Sequence, residues 1–379
     1  MKVAFVSRFP RDINTPHGGV ESATVNLALA LSVKKNIELH IVVLDKKQKH
    51  LEIEKKKGIT THRIPAPNTP QIFDILGGPG MRELISYLNS LKPDIVHFHE
   101  TYGLLARGLS MPHIFTVHGF DSENILVESG IRGRFKIVRS WLWGLIEKIG
   151  LSQKKYIISI TPYVKKFIEK KTTARIFDID NAIDKKFFNI KRGEIDYRIF
   201  SAGWISQRKN TKTLITAFAL SVKAMPDKKM ELIIAGAKRD TAYLKEVEDE
   251  IKKYNLENKI FLIGSVSQDK IKEELSRAGL FILASYQENA PMAVAEAMAS
   301  ALPVIVSNRC GMPYMVKDGE SGFLVEPSDA EDIAKKIEIL FRDEKLRLKM
   351  GLAAKNRAIE KFSPDNVAEK TIKAYEAIL

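Results

Sequence analysis

Two glutamates eight residues apart, Glu288 and Glu296, lie in the stretch LFILASYQENAPMAVAEAMASALPVIVSNRCGMPYMVKDGESGFLVEP. On one continuous helix such a pair would stand about 80° apart and about 12 Å along the axis, so the two could not serve one atom. Pro291 supplies a break, because it suits the first position of a helix and leaves Glu288 in the turn before it. The pattern reads as an apolar strand, a polar turn with Glu288, an Ala-rich helix with Glu296 and a second apolar strand at 303–307. A helix start offers free backbone N–H groups beside that carboxylate. Together they can hold a phosphate and orient a hydroxyl-rich ligand. The competing reading is surface charge, which the Ala and Met neighbours of Glu296 weaken.

Fixed cations have a natural partner in such a ligand. Arg208 and Lys209 fall in a loop between a strand and a helix, where they suit a diphosphate whose charge grows as its bond to carbon breaks. A solvated charged turn is the plainer alternative. Gly18 and Gly19 precede an amphipathic helix and let backbone approach a ligand beside positive helix potential. His118 follows Thr116-Val117 at the end of a strand. From there it could donate a hydrogen bond to a sugar hydroxyl or exchange a proton with it, or simply pack in the core. His97 and His99 share one strand face with Glu100 next in sequence, which raises a metal site, but no third convergent ligand is legible. The expectation is no metal. All eight histidines precede residue 119, so the second half reads as a nucleotide domain without histidine chemistry.

These residues need a scaffold. The 379 residues suggest two domains. Apolar strands are expected at 3–7, 38–44, 95–99, 114–118 and 156–160, then at 198–202, 231–235, 260–263, 280–284 and 303–307. Amphipathic helices alternate with them. Uniformly apolar strands separated by helices argue for parallel sheets covered on both faces. Two such series predict two doubly wound Rossmann-like domains, 1–182 and 183–361, with a final helix at 362–379. In such sheets ligands sit beyond the carboxyl ends of the strands. Gly18, His118, Gly203, Gly236, Gly264 and Glu288 all fall there.

Composition narrows the classes. The formal charge is +14, which favours acidic partners: nucleic acid, anionic lipid or phosphorylated small molecules. Cys310 is the only cysteine, so no intrachain disulfide can form, in keeping with a reducing compartment. The first residues read as a strand rather than a signal peptide, and no apolar run reaches membrane-spanning length. The expected location is cytoplasmic. In the run from 131 to 149, Ile131, Phe135, Val138, Leu142, Leu145 and Ile149 recur at helical spacing among Arg132, Arg134, Lys136 and Arg139, with Trp141 and Trp143. A basic amphipathic helix with tryptophan can lie on an anionic membrane, which would put the protein at the inner membrane face. The favoured expectation is that this apolar face covers the domain's own sheet.

Taken together the residues resemble a retaining glycosyltransferase of family 4. The resemblance rests on Gly18-Gly19, Thr116-Val117-His118-Gly119, Asn181-Ala182-Ile183-Asp184, Gly203 to Asn210, Gly264-Ser265-Val266, the Glu288/Glu296 pair and Gly322-Phe-Leu-Val325. It implies the GT-B architecture of two facing Rossmann-like domains with a last helix crossing back to the first. It also implies a nucleoside diphosphate sugar as substrate, with no cofactor. In that frame Glu296 would hold the ribose and Glu288 the sugar hydroxyls. The Asn289, Ala290, Pro291 and Met292 amides would bind the diphosphate with Gly18, Gly19, Lys209 and Arg208. Gly264, Ser265 and Val266 would flank the base, and His118 would contact the sugar. The acceptor would be a hydroxyl, on a glycan or a lipid-linked molecule. The chain departs from the family pattern at Trp204, where an Arg is common, at Tyr314, where many members carry Glu, and at Ala182, where Gly is usual. The alternatives are a GT-B epimerase, which would consume donor without acceptor, and a basic polyanion-binding protein. Against the latter, no nucleic-acid-binding signature is present.

Overall fold

A computed structural model describes residues 1–16, 18–68, 74–99, 104, 106, 108–127, 134–238 and 240–379. The chain divides into two compact units. One comprises Met1–Asp121, Trp141–Ile183 and Phe362–Leu379, and the other Ser122–Ser140 and Asp184–Lys361.

The first unit is built on strands β1 (Lys2–Val6), β2 (Glu38–Asp45), β3 (Glu52–Lys56), β4 (Ile59–Pro65), β5 (Ile95–His99), β6 (His113–Val117), β7 (Tyr156–Ser159) and β8 (Arg175–Asp178). Their order is β3-β4-β2-β1-β5-β6-β7-β8. All pairs are parallel except β3 with β4, a hairpin that pairs Glu54 with Thr61. The central strands β1 and β5 are buried apart from Lys2, as a sheet covered on both faces requires. The Gly19–Ser32 helix buries Val25, Leu27, Ala28 and Leu31 in the same core as Val367, Ala368, Ala374 and Tyr375 of the Pro364–Glu376 helix. That last helix starts cleanly because Ser363 Oγ accepts from Asn366 N and Pro364 opens the first turn.

The second unit holds β9 (Arg198–Ala202), β10 (Glu231–Ala235), β11 (Ile260–Gly264), β12 (Leu280–Leu283), β13 (Val304–Ser307) and β14 (Gly322–Val325), all parallel, in the order β11-β10-β9-β12-β13-β14. Sequential strands run outward on either side of the β9/β12 junction, so the chain reverses direction across the sheet there. Ligands favour such a switch point.

Four strands escape the expectation of uniformly apolar runs. β3 is Glu-Ile-Glu-Lys-Lys and almost wholly exposed at a sheet edge, and β4 buries Thr61, His62 and Arg63. β8 and β14 are four-residue edge strands. The long Glu344–Phe362 helix was also hidden. Its buried stripe, Met350, Ala354, Ala358 and Phe362, is half alanine and lies among charges.

The Arg134–Ser152 helix overturns another expectation. Its apolar stripe faces outward: Phe135 is 84% exposed, Val138 53% and Trp141 65%, and Leu142, Leu145 and Ile149 are also exposed. The inward side carries Glu147, Gly150 and Leu151 instead. A Cβ on Gly150 would lie 2.8 Å from the Leu104 side chain, so the helix approaches its neighbour over a glycine. Lys171 neutralises the buried Glu147 from 3.9 Å. Ile131 and Arg132, like Glu100, lie outside the described residues.

Candidate active site

Because β9 and β12 are neighbours, the loops leaving their carboxyl ends run side by side. The Arg208 carbonyl accepts from Tyr286 N at 2.9 Å. Asn210 fixes the first loop. It is buried with φ at 59°, and its amide donates to the carbonyls of Ala284 (3.0 Å) and Pro327 (2.5 Å). Asparagine tolerates this left-handed conformation better than most residues. The Gln207–Lys209 turn is thereby held against the β12 loop.

This arrangement brings Arg208, Lys209 and Glu288 together across 80 residues of sequence. Arg208 Nη1 donates to Gln287 O at 2.9 Å and to Glu288 Oε1 at 2.8 Å. Lys209 Nζ reaches the same Oε1 at 2.5 Å. Burial pulls the Lys209 ammonium below its ordinary value, Glu288 pulls it back up, and Arg208 depresses it further. Two cations around one carboxylate leave a net positive, poorly hydrated site, suited to a multiply charged anion.

Glycines let the backbones close around it. A Cβ on Gly311 would stand 1.7 Å from Asn289 O, and Gly311 N donates to Glu288 O at 2.8 Å, so the turn carrying Glu288 is clamped from behind. At Gly236 a Cβ would meet Gly203 O at 1.9 Å. Gly264, with φ at 71°, ends β11 two strands from β9 and accepts from Gly236 N at 2.8 Å. Ser265 beyond it is exposed and Val266 half-buried.

The Met292–Ala299 helix begins one residue later than expected. Pro291 stands as its cap rather than its first turn, and no side chain caps it. Asn289 and Ala290 are half-buried in the turn before it, and Met292 is buried. Glu296 lies on this helix, away from the cation cluster, and its nearest charged influence is Asp184. Burial first, and the Asp184 carboxylate second, push its carboxyl up to about 7.

In the first unit, Gly18 (φ 97°) caps the Gly19–Ser32 helix without a side-chain bond, and both glycines are exposed. His118 sits just past β6. Its Nε2 lies 3.1 Å from His99 Nδ1. His97 is engaged at both nitrogens, by Tyr375 OH at 2.7 Å and Thr116 Oγ1 at 2.6 Å. Burial drives His97 to about 3 and His118 to about 4. Among the described residues no group of three or more His, Cys, Asp or Glu is placed to hold a metal ion. Gly311 completes the second-unit site without having been singled out for it, and Asn210 and Asp184, quoted only as ends of family motifs, had been given no role in it. An Asn after a basic pair and a Gly after Cys310 were the available signals.

Solved structures share this fold. A sucrose-phosphate synthase from Thermosynechococcus elongatus superposes with a TM-score of 0.79 at 19% identity, over 99% of this chain and 98% of the other. Anabaena HepE in complex with UDP-glucose matches at 0.73 and 15%, over the whole of both chains. The architecture is that of the GT-B glycosyltransferases. Residues 17–187 match the profile of Glycosyltransferase Family 4, and residues 182–357 that of Glycosyl transferases group 1. An uncharacterized glycosyltransferase of Methanocaldococcus jannaschii is 26% identical over 95% of each chain. The chain belongs to glycosyltransferase family 4 and is a hexosyltransferase-type enzyme.

Proposed function

We propose that the enzyme transfers a sugar, with retention of configuration, from a nucleoside diphosphate sugar to a hydroxyl acceptor. The observation that carries this is the cluster in which Arg208 and Lys209 share Glu288 Oε1 at adjoining strand ends. As the bond from sugar carbon to diphosphate oxygen breaks, negative charge accumulates on the leaving group. Pre-positioned cations in a partly dehydrated site lower that barrier without reorganising. Glu288, its charge already shared by two cations, is a poor covalent nucleophile. It suits hydrogen bonds from sugar hydroxyls, leaving the departing diphosphate to help deprotonate the acceptor on the same face. Glu296 is the candidate for the ribose hydroxyls, the 289–292 amides for phosphate oxygens and Gly264 to Val266 for the base. Gly18-Gly19 and His118 are the first unit's candidates for diphosphate and sugar. The complex of HepE with UDP-glucose supports uridine as the first base to try.

For the acceptor, we read the outward stripe of Phe135, Val138, Trp141, Leu142, Leu145 and Ile149, beside exposed Arg139 and Lys148, as a surface that rests on anionic lipid and meets a lipid-linked hydroxyl. No helix among the described residues is long and apolar enough to cross a membrane.

The test is incubation with UDP-, GDP- and ADP-sugars and candidate acceptors, with the product anomer read by NMR. The expected product keeps the donor's configuration, and Lys209→Ala and Glu288→Ala each lose at least tenfold in kcat/KM while staying folded. Near-normal turnover in both variants, or epimerised donor formed without acceptor, would overturn the reading. Vesicle flotation with Phe135→Ser/Trp141→Ser tests the lipid contact separately.

A further inference from the structure

Between β1 and the Gly19–Ser32 helix the chain makes a long loop, and the charged hairpin at the sheet's edge reaches over to hold it. Arg63 on β4 is 6% exposed, although β4 lies two strands away from β1. Its Nη1 donates to Phe9 O at 3.2 Å, and its Nη2 donates to Phe9 O at 3.2 Å and to Pro10 O at 3.1 Å. Both carbonyls lie beyond β1, whose pairing with β2 and β5 ends at Val6. Arg11, the next residue along, reaches back to the same edge. It pairs with Asp45 Oδ2 at 3.3 Å and with Glu52 Oε2 of β3 at 3.2 Å.

The loop is therefore fixed at its base and open at its end. Phe9 is buried, and Ile13 packs on the first unit's core. Asp12 closes the next turn, accepting from Asn14 N and Thr15 N at 3.0 Å each. At the far end Gly18 has φ at 97°, and a Cβ there would meet nothing within 4 Å. A buried guanidinium is a costly way to fill the space under such a loop. Burial weighs against the Arg63 charge and Arg11 adds to that, while Asp45, Glu52 and Glu54 support it electrostatically. An apolar side chain would fill the volume at less cost. Only a forked donor, however, can fix the direction of two successive carbonyls at once.

We infer that Arg63 is a positioning residue of the active site: by holding the carbonyls of Phe9 and Pro10 it sets the course of the loop, and so where Gly18 and Gly19 present their backbone to the donor's diphosphate. The inference rests on the reading above in which those glycines meet the diphosphate. It gives the exposed β3–β4 hairpin a task, as the brace of that loop. Arg11 adds a second tie from the loop side, a weaker one because it is exposed to solvent.

Arg63→Met in the full chain tests this with two readouts. By hydrogen exchange, the amides of residues 8–22 should exchange at least about tenfold faster, while those of β5 and β6 keep the parent's rates. By titration calorimetry against UDP, GDP and ADP, the Kd of whichever diphosphate the parent binds should rise about tenfold. The melting temperature should stay within about 4 °C of the parent's, as a filled core allows. Unchanged exchange in the loop would overturn the inference whether or not the protein binds any nucleotide. Faster exchange with an unchanged Kd would overturn the positioning role alone. A parent that binds none of the three diphosphates counts against the proposed function, and the positioning role falls with it. Arg63→Lys keeps the charge but offers one ammonium to two carbonyls, so it should lose about threefold in affinity. This variant carries the test if the Met chain fails to fold, and a Lys chain matching the parent in both readouts would refute the need for the fork.

Discussion

Glu296 offers the sharpest test, because its carboxyl is held up to about 7 by burial and by Asp184. The folded chain therefore binds this proton more tightly than the unfolded chain does. Below about pH 4.5 both forms are protonated and nothing is lost. As pH rises toward 7 the unfolded chain ionises first and stability falls, and above 7 the full penalty applies. A carboxyl moved from 4.5 to about 7 carries about 3 kcal/mol, or about 2 once it is allowed for that the Glu296 side chain is only half-buried. Glu296→Gln removes the charge while keeping the shape. Urea melts of the second unit at pH 8 should show the variant more stable by about 2 kcal/mol, or roughly 4–8 °C in a thermal scan. At pH 4.5 the gap should close to under about 0.5 kcal/mol. The same variant should bind UDP at least tenfold more weakly at pH 8, since the ionised carboxylate is the better acceptor for ribose hydroxyls. Parent affinity should rise through pH 7, while the variant's stays flat there. A Gln variant no more stable than the parent at pH 8 would refute the argument, because it would mean the carboxylate is compensated in the fold.

Three further outcomes follow from contacts around the site. Asn210→Ala should cost about 3 kcal/mol in denaturant melts, since two buried carbonyls lose their donor and a left-handed backbone is left to alanine; a loss under about 1 kcal/mol would show the amide to be dispensable. Gly311→Ala must push the Asn289 carbonyl back from a 1.7 Å overlap, so donor KM should rise about tenfold or more with the fold intact by circular dichroism. An unchanged KM would sink the clamp. Tyr375→Phe strands a buried His97 nitrogen and should destabilise the first unit by about 1–3 kcal/mol, read by hydrogen exchange of β5 and β6 amides.

Much of this architecture was legible because buried parallel strands leave few options. β12 is apolar end to end, β1, β9 and β13 are apolar but for one or two residues, and β5 alternates apolar residues with His97 and His99; their spacing announces crossover helices. β3 and β4 were not legible, since an exposed charged edge and a strand with buried His62 and Arg63 look alike in sequence, both polar. At the site, Arg208, Lys209 and Glu288 stood out as charges at strand ends. Their mutual bonding depends on β9 and β12 being sheet neighbours, which no local pattern encodes. The Arg134–Ser152 helix shows the limit of periodicity. Its apolar residues from Phe135 to Ile149 share a face as read, but the side that meets the protein carries Glu147, Gly150 and Leu151, with Gly150 packed closely on Leu104.

The return of residues 362–379 to the first unit has a consequence for how the protein is made. Val367, Ala368, Ala374 and Tyr375 complete a core whose other walls, from Val3 to Ala182, are synthesised before the second unit's main span. Between them the ribosome must produce the roughly 180 residues of Asp184–Lys361. At about 5–20 residues per second this takes roughly 10–40 s, during which the face of the Gly19–Ser32 helix destined for the last helix stays uncovered. The second unit, whose main span is continuous in sequence, can finish first. The unit begun before the other is therefore the one that waits, and the one in most need of protection while translation continues.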